Sequence, residues 1–422
     1  MGLTGILLAL GALVWLSFRG WSVLVLAPAA ALIAALLAGE PLLAHWTQTF
    51  MGAAAGFLAQ FFPLFLLGAL FGKLMEDSGS VAAIAQFRTD KLGPGRAILA
   101  VVLAGALVTY GGVSLFVAFF VLAPMAQALF RAADIPGRLM PGAIILGTST
   151  FTMSALPGTP SIQNAIPMPF FGTTPFAAPG LGIIAAAIML GFGLWWLARA
   201  EAAARRAGEG YGDTAVAPDA AAKDPLVRER ATTAAAFDPA EVHHGRAGRD
   251  RPGIALAIVP LVTVVLVNLV MSLVVLPRLD TSFLAEARWG GIELAAVGGV
   301  WSVIVALAAA IVVLVALNRG RLPSLRETVD AGANASVLPV LSVASLVGFG
   351  AVVAALPAFL LVRDWVLSID GGPLVSLALA TNILAALTGS ASGGMTIALG
   401  ALGDTYMQLA AGSMSSAAAS CM

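Results

Sequence analysis

The chain has 422 residues, of which 59% are hydrophobic and only 10% charged, with a formal net charge of zero. Soluble globular chains carry about 25% charged residues, so composition excludes a water-soluble fold, and the neutral balance gives no footing for nucleic acid. The single cysteine, Cys421, excludes an intrachain disulfide and a thiolate metal site, and His45, His243 and His244 all lie outside the apolar runs, so no cofactor and no metal site is expected.

A spanning helix takes about 20 apolar residues, which makes this an all-α polytopic membrane protein. The first apolar run lacks the basic start and small-residue cleavage site of a secretory signal and reads as a retained span. Simple spans are predicted at 3–18, 20–38, 50–74, 177–198, 253–276, 291–317 and 334–362. Glu76 and Asp77 close the third span and read as solvated, interfacial groups.

Three regions have the wrong length for one span. The first, 97–130, is too long for one helix and too short for two, and its middle reads Tyr110-Gly111-Gly112-Val113-Ser114, residue types that let a chain reverse. Basic residues flank both ends, Arg96 and Arg131, which predicts a re-entrant hairpin entering from the cytoplasm. The second, 140–171, would reach about 48 Å as one helix against a hydrocarbon core of about 30 Å. Pro157 and Gly158 predict a break, Thr159 has the chemistry of an N-cap, and Pro160 suits a first helical position. Ser161, Gln163 and Asn164 crowd the same turn, so the break would present free N–H groups and polar side chains at mid-membrane. The third, 371–409, has the middle Thr388-Gly389-Ser390-Ala391-Ser392-Gly393-Gly394 and predicts a second re-entrant hairpin, entering from outside. Its simpler alternative is a helix pair packed through small residues.

Between Arg199 and Arg251 lie nine basic and nine acidic residues, 18 of the chain's 44 charges. This stretch predicts a polar cytoplasmic loop, 199–251, separating repeats at 1–198 and 252–410, with an atypical tail at 411–422. Placing the basic segments inside puts the N-terminus outside. The first half runs three spans, hairpin, broken helix, span. The second begins three spans, hairpin, each inverted across the membrane, which is the architecture of inverted-repeat secondary transporters.

The segments Gly68–Ser80, Leu156–Pro167 and Ala378–Leu399 resemble the gluconate permease (GntP) family of the ion-transporter superfamily. The resemblance implies proton-linked uptake of a small hydroxy-monocarboxylate such as gluconate, glycerate or 3-hydroxybutyrate. It also implies an elevator-type movement in the cytoplasmic (inner) membrane, and a homodimer. Carried onto this chain, the substrate site comprises Tyr110, Gly111, Gly112 and Ser114 from the first tip. Pro157, Gly158, Thr159, Pro160, Ser161, Gln163 and Asn164 come from the break, and Thr388, Gly389, Ser390 and Ser392 from the second tip. Family members follow the second hairpin with a second broken helix and a last span; the tail here has neither the length nor the hydrophobicity for them, which predicts a truncated chain.

Sodium is the alternative coupling ion, held by hairpin carbonyls. A cation/proton antiporter and an inactive fragment are the rival readings; an intramembrane hydrolase at Ser149 or Ser154 has no visible base.

Overall fold

The computed structural model describes residues 2–84, 96–113, 115–211, 252–322, 324–361, 373–388 and 391–413, and every regular element within them is helical. Ser114, Gly389, Ser390, most of the central loop and the end of the tail lie outside the described residues.

Helices α1 (Gly2–Phe18) and α2 (Val23–Ala38) form an antiparallel pair. The third span starts earlier than its apolar core suggests: Leu42–Phe50 is already helical, through a π-helical turn at His45–Phe50, and runs into α3 (Met51–Asp77). The polar Trp46-Thr47-Gln48 stretch hides this start, and Thr47 donates its hydroxyl back to the Leu43 carbonyl at 2.6 Å. The 97–130 region is a helical hairpin, α4 (Ala97–Tyr110) and α5 (Leu115–Ala132), reversing at Gly111 and Gly112.

The 140–171 region breaks twice. Helix α6 (Met140–Thr148) stops at Ser149, and a single turn α7 (Phe151–Ser154) follows. After an irregular stretch come the short helices α8 (Ile162–Ala165) and α9 (Pro167–Phe171). Thr159 is not the N-cap: that position belongs to Ser161, and Pro160 precedes the helix rather than opening it. Helix α10 (Pro179–Arg206) carries the chain out, with Leu181, Ile184, Ile188, Phe192 and Trp195 exposed on its surface, as lipid contact requires.

In the second half, α11 (Ile254–Val270) and α12 (Leu294–Asn318) form the next pair. Helix α13 (Leu325–Ala355) begins nine residues before the span predicted at 334, because Ser324 caps it: the Ser324 hydroxyl accepts the Glu327 N–H at 3.3 Å. That Ser-Leu-Arg-Glu sequence is a capping box, a local signal outweighed here by the search for apolar residues. Helices α14 (Pro373–Thr388) and α15 (Ala391–Ser413) form the second hairpin, four residues longer at its end than the 409 predicted.

The packing pairs the halves. Helix α1 lies on α2 as α11 lies on α12; α2 packs on α13 as α12 packs on α3; and α3 and α13 cross each other along most of their length. Glycine lets the backbones approach at that crossing, where a Cβ on Gly332 would lie 3.0 Å from Leu70 Cα. Each of the two crossing helices carries a proline in its interior, Pro63 and Pro339.

Where the central loop leaves, a clasp forms. Arg138 holds the Glu209 carboxylate with both Nε (2.7 Å) and Nη2 (2.8 Å), and Asp134 accepts the Tyr211 N–H at 2.8 Å.

Candidate functional site

Buried hydroxyls in this bundle mostly turn back on their own helix. Thr109 donates to the Gly105 carbonyl, Thr148 to Ile144 and Thr396 to Ser392, so each satisfies itself locally and carries no cross-helix information. Bonds that leave their own element stand out against this background, and several converge on one place.

That place is the irregular stretch after α7. Tyr110, the last residue of α4, donates its hydroxyl to the Pro157 carbonyl at 2.8 Å. Asn268, on α11, is fully buried and donates its amide to the Gly158 carbonyl at 3.0 Å. Asn164 donates to the Thr159 carbonyl at 3.0 Å and to the Pro175 carbonyl at 3.1 Å. Three successive carbonyls released by the break, 157 to 159, are thus each met by a side chain, which is what an irregular backbone needs where no water is available. Gly158 also donates its N–H to the Pro175 carbonyl at 2.7 Å. Its φ of +81° and the ring of Phe176, which a Cβ would strike, admit only glycine.

The first hairpin tip is seated on the same structure. Gly112 has a φ of +93°, and a Cβ there would meet Pro160 Cγ at 3.1 Å and Phe71 Cδ1 at 3.8 Å. A Cβ on Gly111 would strike Leu261 of α11. Leu261, Val264 and Asn268 are all buried and share one face of α11, at the i, i+3, i+7 spacing of a helix stripe. Tip and break are therefore mounted on one helix face contributed by the other half of the chain.

Among the residues expected to bind substrate, the structure brings together Tyr110, Gly111, Gly112, Pro157, Gly158, Thr159, Pro160, Ser161 and Asn164. Thr159 is fully buried, and its hydroxyl lies 3.0 Å from that of Ser161, so it backs Ser161 from below. The amide nitrogen of Asn164 is committed to the two carbonyls. Ser161 is half-buried, and the N–H groups of Ile162 and Gln163 begin the short helix behind it. Gln163 presents a buried side-chain oxygen with no hydrogen-bond partner. The second hairpin reaches the same region through α15, which packs against α8 and α9; a Cβ on Gly403 would lie 3.2 Å from Phe170 Cδ1. Ser392 is buried at the start of α15; Ser114, Gly389, Ser390 and the Thr388 side chain lie outside what is described.

Sequence reasoning missed Asn268. The available signal was an asparagine on the buried stripe of an otherwise apolar helix, where an unpaired amide is costly. It also misplaced Asp77, read as solvated: Asp77 is 1% exposed, ion-paired to Lys73 and bonded to Thr328 of α13, whereas Glu76, paired to the same lysine, keeps 26% of its side chain exposed. The solvated reading of Asp77 failed because 78–84 continues the chain as a largely buried segment, with Ser78 and Ser80 at 0%.

Apolar helices long enough to cross a bilayer, with apolar outer faces and an irregular segment kept inside the bundle, define a multi-pass membrane protein. Residues 1–168 match the family profile described as GntP family permease. The chain is 40% identical over 417 residues to YxjC, an uncharacterized transporter of Bacillus subtilis (strain 168), covering 97% of this chain and 84% of that relative. It is 36% identical over 93 residues to an uncharacterized transporter of Haemophilus influenzae, 22% of each chain. The chain belongs to the GntP permease family. No solved structure matches it.

Proposed function

We propose that this permease is a secondary active transporter importing a small hydroxy-monocarboxylate, of the gluconate, glycerate or 3-hydroxybutyrate type, together with a proton. The observation that carries the reading is the seating of the first hairpin tip on the break, by Tyr110 on the Pro157 carbonyl and Gly112 against Pro160. The break's carbonyls are already met from the protein, which leaves for a ligand the donors of the next turn: the N–H groups of Ile162 and Gln163 and the hydroxyl of Ser161, which also bonds Thr159. Donors without a cationic side chain suit a carboxylate that must also be released. Helices of four and five residues carry little dipole, so the anion is held by these local N–H groups. The unpartnered Gln163 oxygen would take the substrate's hydroxyl hydrogen. Thr159 and Asn164 hold the seat, and the second hairpin packs beside it through α15, against α8 and α9.

The matched pairing of α1–α2 with α11–α12, and the crossing of α3 with α13, support an inverted repeat with re-entrant hairpins moving by an elevator mechanism. In this reading the protein is an inner-membrane homodimer with the central loop in the cytoplasm.

The test is uptake of labelled gluconate and D-3-hydroxybutyrate into proteoliposomes, with and without an inward proton gradient. Stimulated uptake of either acid is the expected outcome, cut about tenfold or more by Ser161→Ala, which loses a bond to the carboxylate worth about 1.5–3 kcal/mol, and about two- to tenfold by Gln163→Leu, which loses a neutral bond worth about 0.5–1.5 kcal/mol. Failure of both acids to accumulate overturns the substrate class. A cation/proton antiporter is the second reading, favoured by the buried carboxylate of Asp77; it predicts Na+-driven proton movement in liposomes holding no organic acid.

A further inference from the structure

The family-like segment Gly68–Ser80 contains a charged cluster that the substrate seat does not use. Lys73 and Asp77 are the only buried charged residues among those described. Lys73 Nζ lies 3.1 Å from Glu76 Oε2 and 3.1 Å from Asp77 Oδ1. The other Asp77 oxygen accepts the Thr328 hydroxyl at 2.6 Å, from α13, 251 residues further along the chain. Asp77 Oδ1, by contrast, receives no aligned hydrogen bond and has only the ion pair. Among the described residues no other ion pair reaches the cluster. Arg326, Glu327 and Asp330 of α13 are exposed, α12 carries no titratable residue, and Arg131 of α5 faces the Tyr211 ring.

One cation between two carboxylates leaves a net charge of −1 inside the bundle. A charge is expensive there, and the direct way to discharge it is to bind one proton. Two carboxylates share one lysine, so a proton bound here is held by the pair rather than by either residue alone. Glu76, with 26% of its side chain exposed, is the accessible member of the pair, while Asp77 is sealed against α13. The cluster also lies on the helix that touches the first hairpin tip: Phe71, against Gly112, is five residues before Glu76, about 8 Å along the helix. A proton here changes the charge at the α3–α13 crossing within two helical turns of Phe71, the residue of α3 beside the hairpin tip.

We propose that Lys73, Glu76, Asp77 and Thr328 form the proton-binding site of this transporter, taking up one proton on the Glu76–Asp77 pair with each turnover. The assignment to turnover rests on the symport reading; the binding of the proton does not.

The experiment therefore has two arms. pH-difference infrared spectroscopy of the lipid-reconstituted wild-type protein reports the proton directly, with no substrate needed. A protonated-carboxyl band that grows on acidification and disappears in both Glu76→Gln and Asp77→Asn is expected. In proteoliposomes, one coupled proton sustains about a tenfold accumulation per unit of pH gradient. Both variants should lose that accumulation and keep exchange of labelled for unlabelled acid across equal concentrations. Absence of the band in wild type, or gradient-driven accumulation by the variants at the wild-type level, overturns the proposal. A titrating band in a wild-type protein that accumulates neither gluconate nor D-3-hydroxybutyrate upholds the proton site and overturns the symport reading instead.

Discussion

Asn268 ties the two halves of the chain together at the break, and removing it gives a quantitative forecast. Its amide donates to the Gly158 carbonyl at 3.0 Å, and the side chain is fully buried. Hydrogen bonds between helices in membranes average about 0.6 kcal/mol and reach about 1.7, whereas a buried carbonyl stripped of its donor costs about 1–3 kcal/mol. Asn268→Ala does both, so the break should open more readily by about 1–2 kcal/mol, a factor of about 5–30 in the open population. The sequence offers a clean assay. With Cys421→Ala removing the only native cysteine, a single cysteine at half-buried Ser161 can be labelled with a maleimide in membranes. When closing outpaces labelling, the rate follows the open population and should rise by the same factor. Asn268→Leu, which fills the space without a donor, should behave likewise. Ser272→Ala should change the rate by less than about threefold, because the Ser272 hydroxyl sits 3.5 Å from the Asn268 oxygen, at the limit of a bond. Tyr110→Phe removes the neighbouring tie to Pro157, and its effect should not add to that of Asn268→Ala, since both hold one segment. Labelling unchanged in both Asn268 variants of a folded protein would refute the idea that this amide holds the break.

Two further outcomes follow from the packing and the clasp. A Cβ on Gly147 of α6 would strike the Val102 carbonyl of α4, which is backbone and cannot rotate away, so Gly147→Ala should destabilise the protein by about 1–3 kcal/mol in thermal unfolding; unchanged stability would mean that the helices are looser than described. At the clasp, the Arg138 hydrogen bonds hold the Glu209 carboxyl below its usual range, so the clasp's stabilising contribution is complete above about pH 4.3 and is lost as pH falls through the lowered value. A nitroxide on Ala207 should gain mobility at that low pH, and at pH 7 in Arg138→Gln, whereas equal mobility throughout would show that the clasp does not anchor the end of α10.

The sequence by itself determined the membrane class, most of the spans, the helix pairs α4–α5 and α14–α15 and the location of the break. These rest on signals local to a few residues: apolar run length against bilayer thickness, paired glycines at 111 and 112, and the Pro157–Gly158 step. It erred where two local signals competed, as at Ser324, whose cap starts α13 before its apolar stretch, and at Thr159, whose capping chemistry is taken over by Ser161 two residues on. What only the tertiary structure decided is which elements meet. Asn268 and Gly158 are 110 residues apart, and Asp77 and Thr328 are 251 apart, so no local pattern pairs them. Those pairings arise because a bilayer interior offers no water to a polar group: each must find its partner within its own turn, as Thr109 does, or on whichever helix the packing brings alongside.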